Sequence, residues 1–252
     1  MTGDVSSSRS DEEGRCSIVV AGAAGRMGRM AVEAITAAPD LSLVGTIGRE
    51  DDFRATLEAL RPEIVLDVTT PEVGADHLDW AIERGVHPIV GTTGMPSDRL
   101  ARAKDAARAA KLGGIVAPNF ALGAVLMIEL AKRVAPFLDS VEIIEAHHPA
   151  KRDAPSGTAA RTRQELQAIR GDESADVPIH SVRLPGYIAS QEVIFGGAGE
   201  RLSIRHDTLD RTCFAPGILL AARRVRTLDQ LVFDLASLLF AEEERCASSS
   251  SS

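Results

Sequence analysis

Residues 16–120 alternate short apolar runs with stretches of helical spacing, and that alternation limits the fold more than any other feature of the 252-residue sequence. "CSIVVAG" (16–22), "LSLVGTI" (41–47), "EIVLDVTT" (63–70), "VHPIVGTT" (86–93) and "GGIVAPNF" (113–120) read as strands. Between them, "GRMAVEAITAAPD" (28–40), "DDFRATLEALRP" (51–62), "PEVGADHLDWAIERG" (71–85) and "SDRLARAKDAARAAKL" (97–112) read as helices, with Pro71 in a first turn and Ser97 as a cap. Runs apolar on both sides and separated by helices imply βαβ crossovers and a parallel sheet covered on both faces.

After Phe120 the rhythm changes. "LGAVLMIELAKRVAPFL" (122–138) predicts a long helix, "SVEIIEAHH" (140–148) a strand, and residues 157–170 another helix. "HSVRLPGYIASQEVIFGGAGERLSIRHDTLD" (180–210) alternates over three short strands with Gly-rich turns, which predicts an open mixed or antiparallel sheet. "GILLAARRVRTLDQLVFDLASLLF" (217–240) reads as helical again and is expected to return to the first domain. The expected division is a domain of residues 16–119 plus 216–245 and an inserted α+β domain of residues 120–215. Polar tails at 1–15 and 246–252 cannot bury enough apolar surface to offset the cost of ordering.

Composition excludes several function classes. A net charge of −8 argues against a broad nucleic-acid surface, while leaving room for a local basic pocket. The three cysteines, Cys16, Cys213 and Cys246, are widely spaced with no CxxC pair, so neither a disulfide scaffold nor a zinc site is expected, and a reducing compartment fits. The first fifteen residues lack the apolar centre of a signal peptide, and no apolar run approaches the ~20 residues needed to span a bilayer. A cytoplasmic protein with no membrane or nucleic-acid partner is the expectation.

"VVAGAAGRMG" places Gly22, Gly25 and Gly28 at the first strand-to-helix turn. This is G-x-x-G-x-x-G, a variant of the dinucleotide fingerprint. Gly22 permits the tight turn, Gly25 lets a pyrophosphate approach the backbone, and Gly28 allows close helix–strand packing. Phosphates would sit on the open N–H groups of Gly22, Ala23, Ala24, Gly25, Arg26 and Met27, where the helix dipole favours them. The fold expected is therefore a Rossmann-like doubly wound parallel sheet. At the end of the second strand, an acid would bind the ribose 2′-hydroxyl of NADH and an arginine the 2′-phosphate of NADPH. Gly48, Arg49 and Glu50 put an arginine there, which leans toward NADPH without excluding NADH. Two further loops, Gly91–Thr92–Thr93 and Ala117–Pro118–Asn119–Phe120, fall at carboxyl ends of strands, where such sheets hold their ligands. Thr92, Thr93 and Asn119 are the polar side chains there that can meet a nicotinamide or ribose.

"EAHHPAKRDAPSGTAA" (145–160) gathers two of the six histidines, a lysine and a Ser-Gly-Thr helix start. Convergent cationic donors at that spacing suit a site that holds an anion and moves a proton. Asp153 and Ser156 read as capping residues that shape the loop. His77, His87, His180 and His206 stand alone and read as structural. No carboxylate joins the histidine pair at metal-ligand spacing, so no metal is expected.

"GAAGRMG", "VGTTG", "APNFALGA" and "EAHHPAKRDAPSGTA", in this order and at these separations, resemble the 4-hydroxy-tetrahydrodipicolinate (dihydrodipicolinate) reductases. The likeness covers nearly everything from Ser17 to Leu239. It implies a two-domain enzyme, a homotetramer, and reduction of a small cyclic dicarboxylate on the diaminopimelate and lysine route by hydride from NADPH or NADH. His147 matches the family's acid/base, Lys151 its second catalytic residue, His148 a substrate-binding position, and Gly157 and Thr158 the carboxylate cradle. The sequence departs from the family at Gln191, where many members have histidine, at Gly48, where an acid is common, and at Pro216. Two alternatives are a sensor of the same fold without turnover and a semialdehyde dehydrogenase. The first is expected to lack His147 or Lys151, and the second needs a nucleophilic cysteine.

Overall fold

Strand β1 (Cys16–Ala21) lies inside a six-stranded, all-parallel sheet ordered β10-β5-β4-β3-β1-β2. The computed structural model describes residues 14–92, 94–171 and 177–240. Apart from residues 14 and 15, the two expected tails lie outside the described residues. The remaining strands of this sheet are β2 (Leu41–Ile47), β3 (Ile64–Asp67), β4 (His87–Val90), β5 (Gly114–Val116) and β10 (Leu231–Phe233). Helices α1 (Arg26–Ala37), α2 (Phe53–Leu60), α3 (Pro71–Glu83) and α4 (Ser97–Ala110) connect the first five strands in chain order. Every residue of β3 is buried, as a strand covered on both faces must be. Val19, Ala21, Ile47, Val65 and Trp80 form one cluster, and Leu78, Ile82, Val90, Val116 and Leu231 another. Each buried valine, leucine or isoleucine among them stabilises the fold by roughly 1.5–3 kcal/mol.

The described residues divide into two compact units at Ala117/Pro118, Ile218/Leu219 and Phe233/Asp234. The second unit holds a four-stranded mixed sheet ordered β7-β6-β8-β9, made of β6 (Ser140–His147), β7 (Ile179–Arg183), β8 (Ala189–Gly197) and β9 (Glu200–Thr208). Strand β6 runs parallel to β7 and antiparallel to β8, and β8 antiparallel to β9. One face of this sheet meets α5 (Leu122–Val134) and α6 (Gly157–Arg170): Val141, Ile143, Val193 and Phe195 cluster with Met127, Ile128, Ala131, Ala159 and Leu166.

The closing stretch differs from its expected single helix. Helix α7 (Ala215–Arg224) ends early, residues 231–233 pair with β5 as the sixth parallel strand, and α8 (Ala236–Leu239) is one short turn. Against the expected first domain of residues 16–119 plus 216–245, residues 118–119, residues 216–218 and, so far as described, Asp234 onward fall in the second unit. Asp234 takes a left-handed φ of +94°, caps Ala236 N, and is ion-paired to Arg161 of α6, which ties the segment to the second unit. Ser97 is also corrected: it is the first residue of α4, Pro96 precedes it, and no side chain caps that helix.

Candidate active site

Strand β6 delivers the histidine of the sequence motif to a buried carboxylate. Residues i and i+2 of a strand share a face, so Glu145 and His147 point the same way. Their side chains meet, with His147 Nδ1 2.5 Å from Glu145 Oε2. Glu145 has no exposed surface, and each of its oxygens is doubly engaged. Arg183 of β7 donates to both oxygens at 2.8 and 2.9 Å, and Ser156 N donates to Oε1 at 3.2 Å. Burial pushes the Glu145 carboxyl up, but the hydrogen bonds, from Arg183 above all, bring it down to about 2. An ionised Glu145 fixes the proton on His147 Nδ1 and leaves Nε2 as the nitrogen that gains and loses a proton. Burial lowers the His147 pKa below its ordinary value, against the pull of Glu145 and with the help of Lys151 and Arg183.

His147 lines a cavity of about 60 Å³ with Asn119, Ser156, Thr158, Gln191, His206 and Thr208 among its neighbours. The structure thus brings His147 and Thr158 together. Ser156 caps α6 as expected, its hydroxyl accepting from Ala159 N at 3.2 Å. Lys151, His148 and Gly157 do not line this cavity. Lys151 Nζ sits 2.8 and 2.9 Å from the two oxygens of Asp153, so Asp153 holds the lysine and does not cap a helix, which corrects that reading. Gly157 opens α6, with open space where a Cβ would lie. His206, read as structural from sequence, lines the cavity itself. Burial lowers its pKa too. Its ring rests against Gly123, where an added Cβ would come within 2.6 Å of His206 Cδ2. Sequence reading missed Glu145 and Arg183: they stand 38 residues apart and only strand pairing joins them. The alternation of β6, with a glutamate two residues before the histidine, was the available signal.

A second cavity, of about 400 Å³, lies in the first unit and is lined by Gly22, Ala24, Gly25, Gly48, Arg49, Asp51, Thr69 and His77 among others. Its residues fit a dinucleotide. Gly22 has φ +82°, and a Cβ on Gly28 would lie 2.2 Å from Gly22 O, so only glycine lets helix α1 begin this close to the turn. No side chain caps α1, which leaves its first N–H groups for phosphate. Arg26 is exposed beside the turn, while Ala23 and Met27 are half-buried and do not line the cavity. An acid does reach the tip of β2: Asp51 accepts from Gly48 N at 2.7 Å, a contact hidden from sequence by the three-residue gap. His77 stacks on Phe53, ring centres 3.5 Å apart, with Nδ1 2.5 Å from the buried Asp67.

The remaining loop residues are placed unevenly. Thr92 is buried with no partner for its Oγ1 among the described residues, Gly91 is half-buried, and Thr93 lies outside the described residues. In the Ala117–Phe120 loop, Ala117 and Phe120 are buried, so only their backbones are left for a ligand, and Asn119 Oδ1 accepts from Ala121 N. Burial raises the Cys16 thiol to about 11 and raises that of Cys213, so neither supplies the thiolate that a semialdehyde dehydrogenase needs. Among the described residues no cluster of three or more His, Cys, Asp or Glu is arranged to hold a metal.

Comparison with known proteins gives the family. Residues 16–120 match the family model for the N-terminus of dihydrodipicolinate reductase, and residues 123–239 that for its C-terminus. The 4-hydroxy-tetrahydrodipicolinate reductase of Coxiella burnetii (strain RSA 493 / Nine Mile phase I) is 44% identical over 235 residues, covering 88% of this chain and 98% of its own. That of Lactococcus lactis subsp. cremoris (strain MG1363) is 41% identical over 251 residues, covering 88% and 96%. A dipicolinate-bound dihydrodipicolinate reductase from Paenisporosarcina sp. TG-14 superposes with a TM-score of 0.81 at 33% identity, covering 88% of this chain and 98% of that one. The chain belongs to the dihydrodipicolinate reductase family.

Proposed function

We propose that in this chain, which reduces 4-hydroxy-tetrahydrodipicolinate to tetrahydrodipicolinate with a nicotinamide nucleotide on the diaminopimelate and lysine route, His147 is the acid/base and Lys151 the second catalytic residue. The observation that carries this reading is the His147–Glu145 contact at the wall of a cavity that also holds Thr158. The net reaction takes up one hydride and one proton and releases one water. The nucleotide, when bound, supplies the hydride. Its phosphates belong on the Gly22–Gly28 turn and the start of α1, with Arg26, Met27, Ala23 and Ala24 supplying backbone and charge.

The protein's own groups handle charge and protons. Protonated Nε2 of His147 donates, and the Glu145 carboxylate stabilises the imidazolium before transfer. Lys151, held by Asp153 in the free enzyme, exchanges that partner for a substrate carboxylate. Thr158 Oγ1 and the N–H groups of Gly157 and Thr158, at the start of α6, cradle the same dicarboxylate, with His148 as a further donor. Arg49 makes NADPH the preferred nucleotide, while Asp51 keeps NADH usable through the ribose hydroxyls. A cytoplasmic homotetramer completes the reading. Sedimentation velocity measures the assembly.

The test is nucleotide oxidation at 340 nm with the cyclic substrate made in situ from pyruvate and aspartate semialdehyde by the preceding synthase. Turnover by the wild type, reduced at least about a hundredfold in His147→Gln and in Lys151→Ala, is the expected result. Equal turnover in either variant would remove that residue from the mechanism.

A further inference from the structure

One polar rung crosses the helix-facing side of the second sheet. Glu145 on β6, Gln191 on β8 and His206 on β9 stand in direct register, and the next rung along, Ile143, Val193 and Ile204, is apolar. Glu145 is saturated by Arg183, His147 and Ser156. Gln191 is not. Thr162 Oγ1 donates its one proton to Thr158 O at 2.8 Å, so toward Gln191 it can only accept, and it takes a bond from Nε2 at 2.9 Å. That assignment fixes the amide: the nitrogen is held by α6, and Oε1 is left as an acceptor with no partner among the described residues.

A buried amide oxygen without a donor destabilises the fold, and a native structure keeps one where something outside the chain completes it. Gln191 is only 5% exposed, yet it lines the cavity of His147, Thr158 and His206. At about 60 Å³ the cavity admits one edge of a ring rather than a whole dicarboxylate. The carboxylates of such a ligand are acceptors and cannot serve Oε1. Its ring nitrogen is an imine, which carries no hydrogen and accepts like the carboxylates; the 4-hydroxyl is the donor it offers.

We propose that Gln191 is a specificity-determining residue: its Oε1 accepts a hydrogen bond from the 4-hydroxyl of the cyclic dicarboxylate and so separates a reducible ring from an aromatic one of the same outline. This rests on the reading of the His147 cavity as the substrate site. The geometry also gives Thr162 a part, since it sets which end of the amide faces away from α6.

The experiment compares substrate turnover with inhibition by dipicolinate, whose ring carries no donor, in the wild type, Gln191→Met and Thr162→Val. In Gln191→Met, kcat/KM for the substrate is expected to fall about tenfold, the size of one ordinary hydrogen bond, while the dipicolinate inhibition constant moves less than about twofold. Thr162→Val is expected to show the same signature at about threefold, which keeps the test open if the first variant folds poorly. 4-Hydroxypiperidine-2,6-dicarboxylate carries the 4-hydroxyl on a ring that cannot be reduced. Weaker inhibition by it in Gln191→Met assigns the donor to that hydroxyl, and unchanged inhibition overturns the proposal. Equal losses for substrate and dipicolinate, as a merely structural glutamine or a bound water would give, overturn the proposal, and so does unchanged turnover. Absence of turnover in the wild type removes the functional reading instead, and calorimetric binding of the two inhibitors then decides the role of Gln191 separately.

Discussion

His147 Nδ1 lies 2.5 Å from Glu145 Oε2, two residues back along the same strand. The contact is local in sequence, but what makes it useful comes from elsewhere: Arg183 of β7 holds the carboxylate ionised and in place. Glu145→Gln keeps the size of the side chain and removes the charge that selects the Nδ1–H tautomer. We expect kcat to fall about a hundredfold with KM changed by less than about threefold. Because Arg183 then loses an ionic partner, stability should drop by about 2–4 kcal/mol, read by urea unfolding. An unchanged kcat in a folded Glu145→Gln protein would remove the orienting role.

The pH dependence carries a definite sign. Burial lowers the His147 pKa below 6.5 in the free enzyme, so most molecules hold a neutral imidazole at pH 7. The acid form is required for proton donation, so kcat/KM should decline as pH rises through a value below 6.5. A bound dicarboxylate brings negative charge to the site and favours the imidazolium. The corresponding limb in kcat should therefore lie at higher pH than that in kcat/KM. Coincident limbs in the two profiles would mean that the titrating group does not feel the substrate.

Stability should follow pH through the same groups. The folded pKa values of His147 and His206 are both depressed, so the unfolded chain binds more protons near pH 6.5. Their contribution is complete above 6.5 and lost as pH falls through the lower folded values. Glu145 behaves likewise lower down: its share is present above its ordinary 4.5 and lost as pH falls toward about 2. Thermal melts should show Tm declining below pH 6.5 in the wild type and less steeply in His206→Gln. Parallel curves for the two proteins would exclude His206 as a source of the decline.

Much of this was legible along the chain, and the misses share a cause. Of the five apolar runs from Cys16 to Val116, β1, β3, β4 and β5 became strands buried almost throughout, a demand visible in composition alone, while β2 at the edge of the sheet is only partly buried. The segment 231–233 was hidden because three residues inside an apolar, helix-like stretch declare no period; pairing with β5 made it a strand. Asp51 escaped notice because the tip of β2 bends its carboxylate back to Gly48 N. His206 looked isolated because its neighbours, Gln191 and Gly123, are 15 and 83 residues away, and only the β8–β9 register and α5 assemble them.

Cofactor choice should separate at two residues of one cavity. Arg49 and Asp51 both line it, with opposite charge. Arg49→Ala should raise KM for NADPH about tenfold or more and leave that for NADH within about threefold, since a 2′-phosphate loses a charge-assisted bond that a hydroxyl never made. Asp51→Ala should do the reverse, weakening NADH more. Equal changes for both nucleotides in both variants would place these side chains away from the ribose.

Glycines of similar appearance should respond in opposite ways. At Gly28 an added Cβ would stand 2.2 Å from Gly22 O and 2.6 Å from Ala23 Cα, both backbone atoms that cannot swing aside. Gly28→Ala must therefore push α1 away from the turn, and the N–H groups that would meet the pyrophosphate move with it. We expect nucleotide affinity, measured by quenching of NADPH fluorescence, to fall at least about tenfold and Tm to drop. At Gly157 nothing lies within 4 Å of where a Cβ would stand, φ is not left-handed, and alanine favours a helix by up to about 1 kcal/mol over glycine. Gly157→Ala keeps the backbone N–H that the carboxylate cradle uses. Its kcat/KM should stay within about threefold of wild type. A large loss there would show that the substrate itself fills the space beside Gly157, and the cradle would have to be redrawn around a closer approach of the ligand to α6.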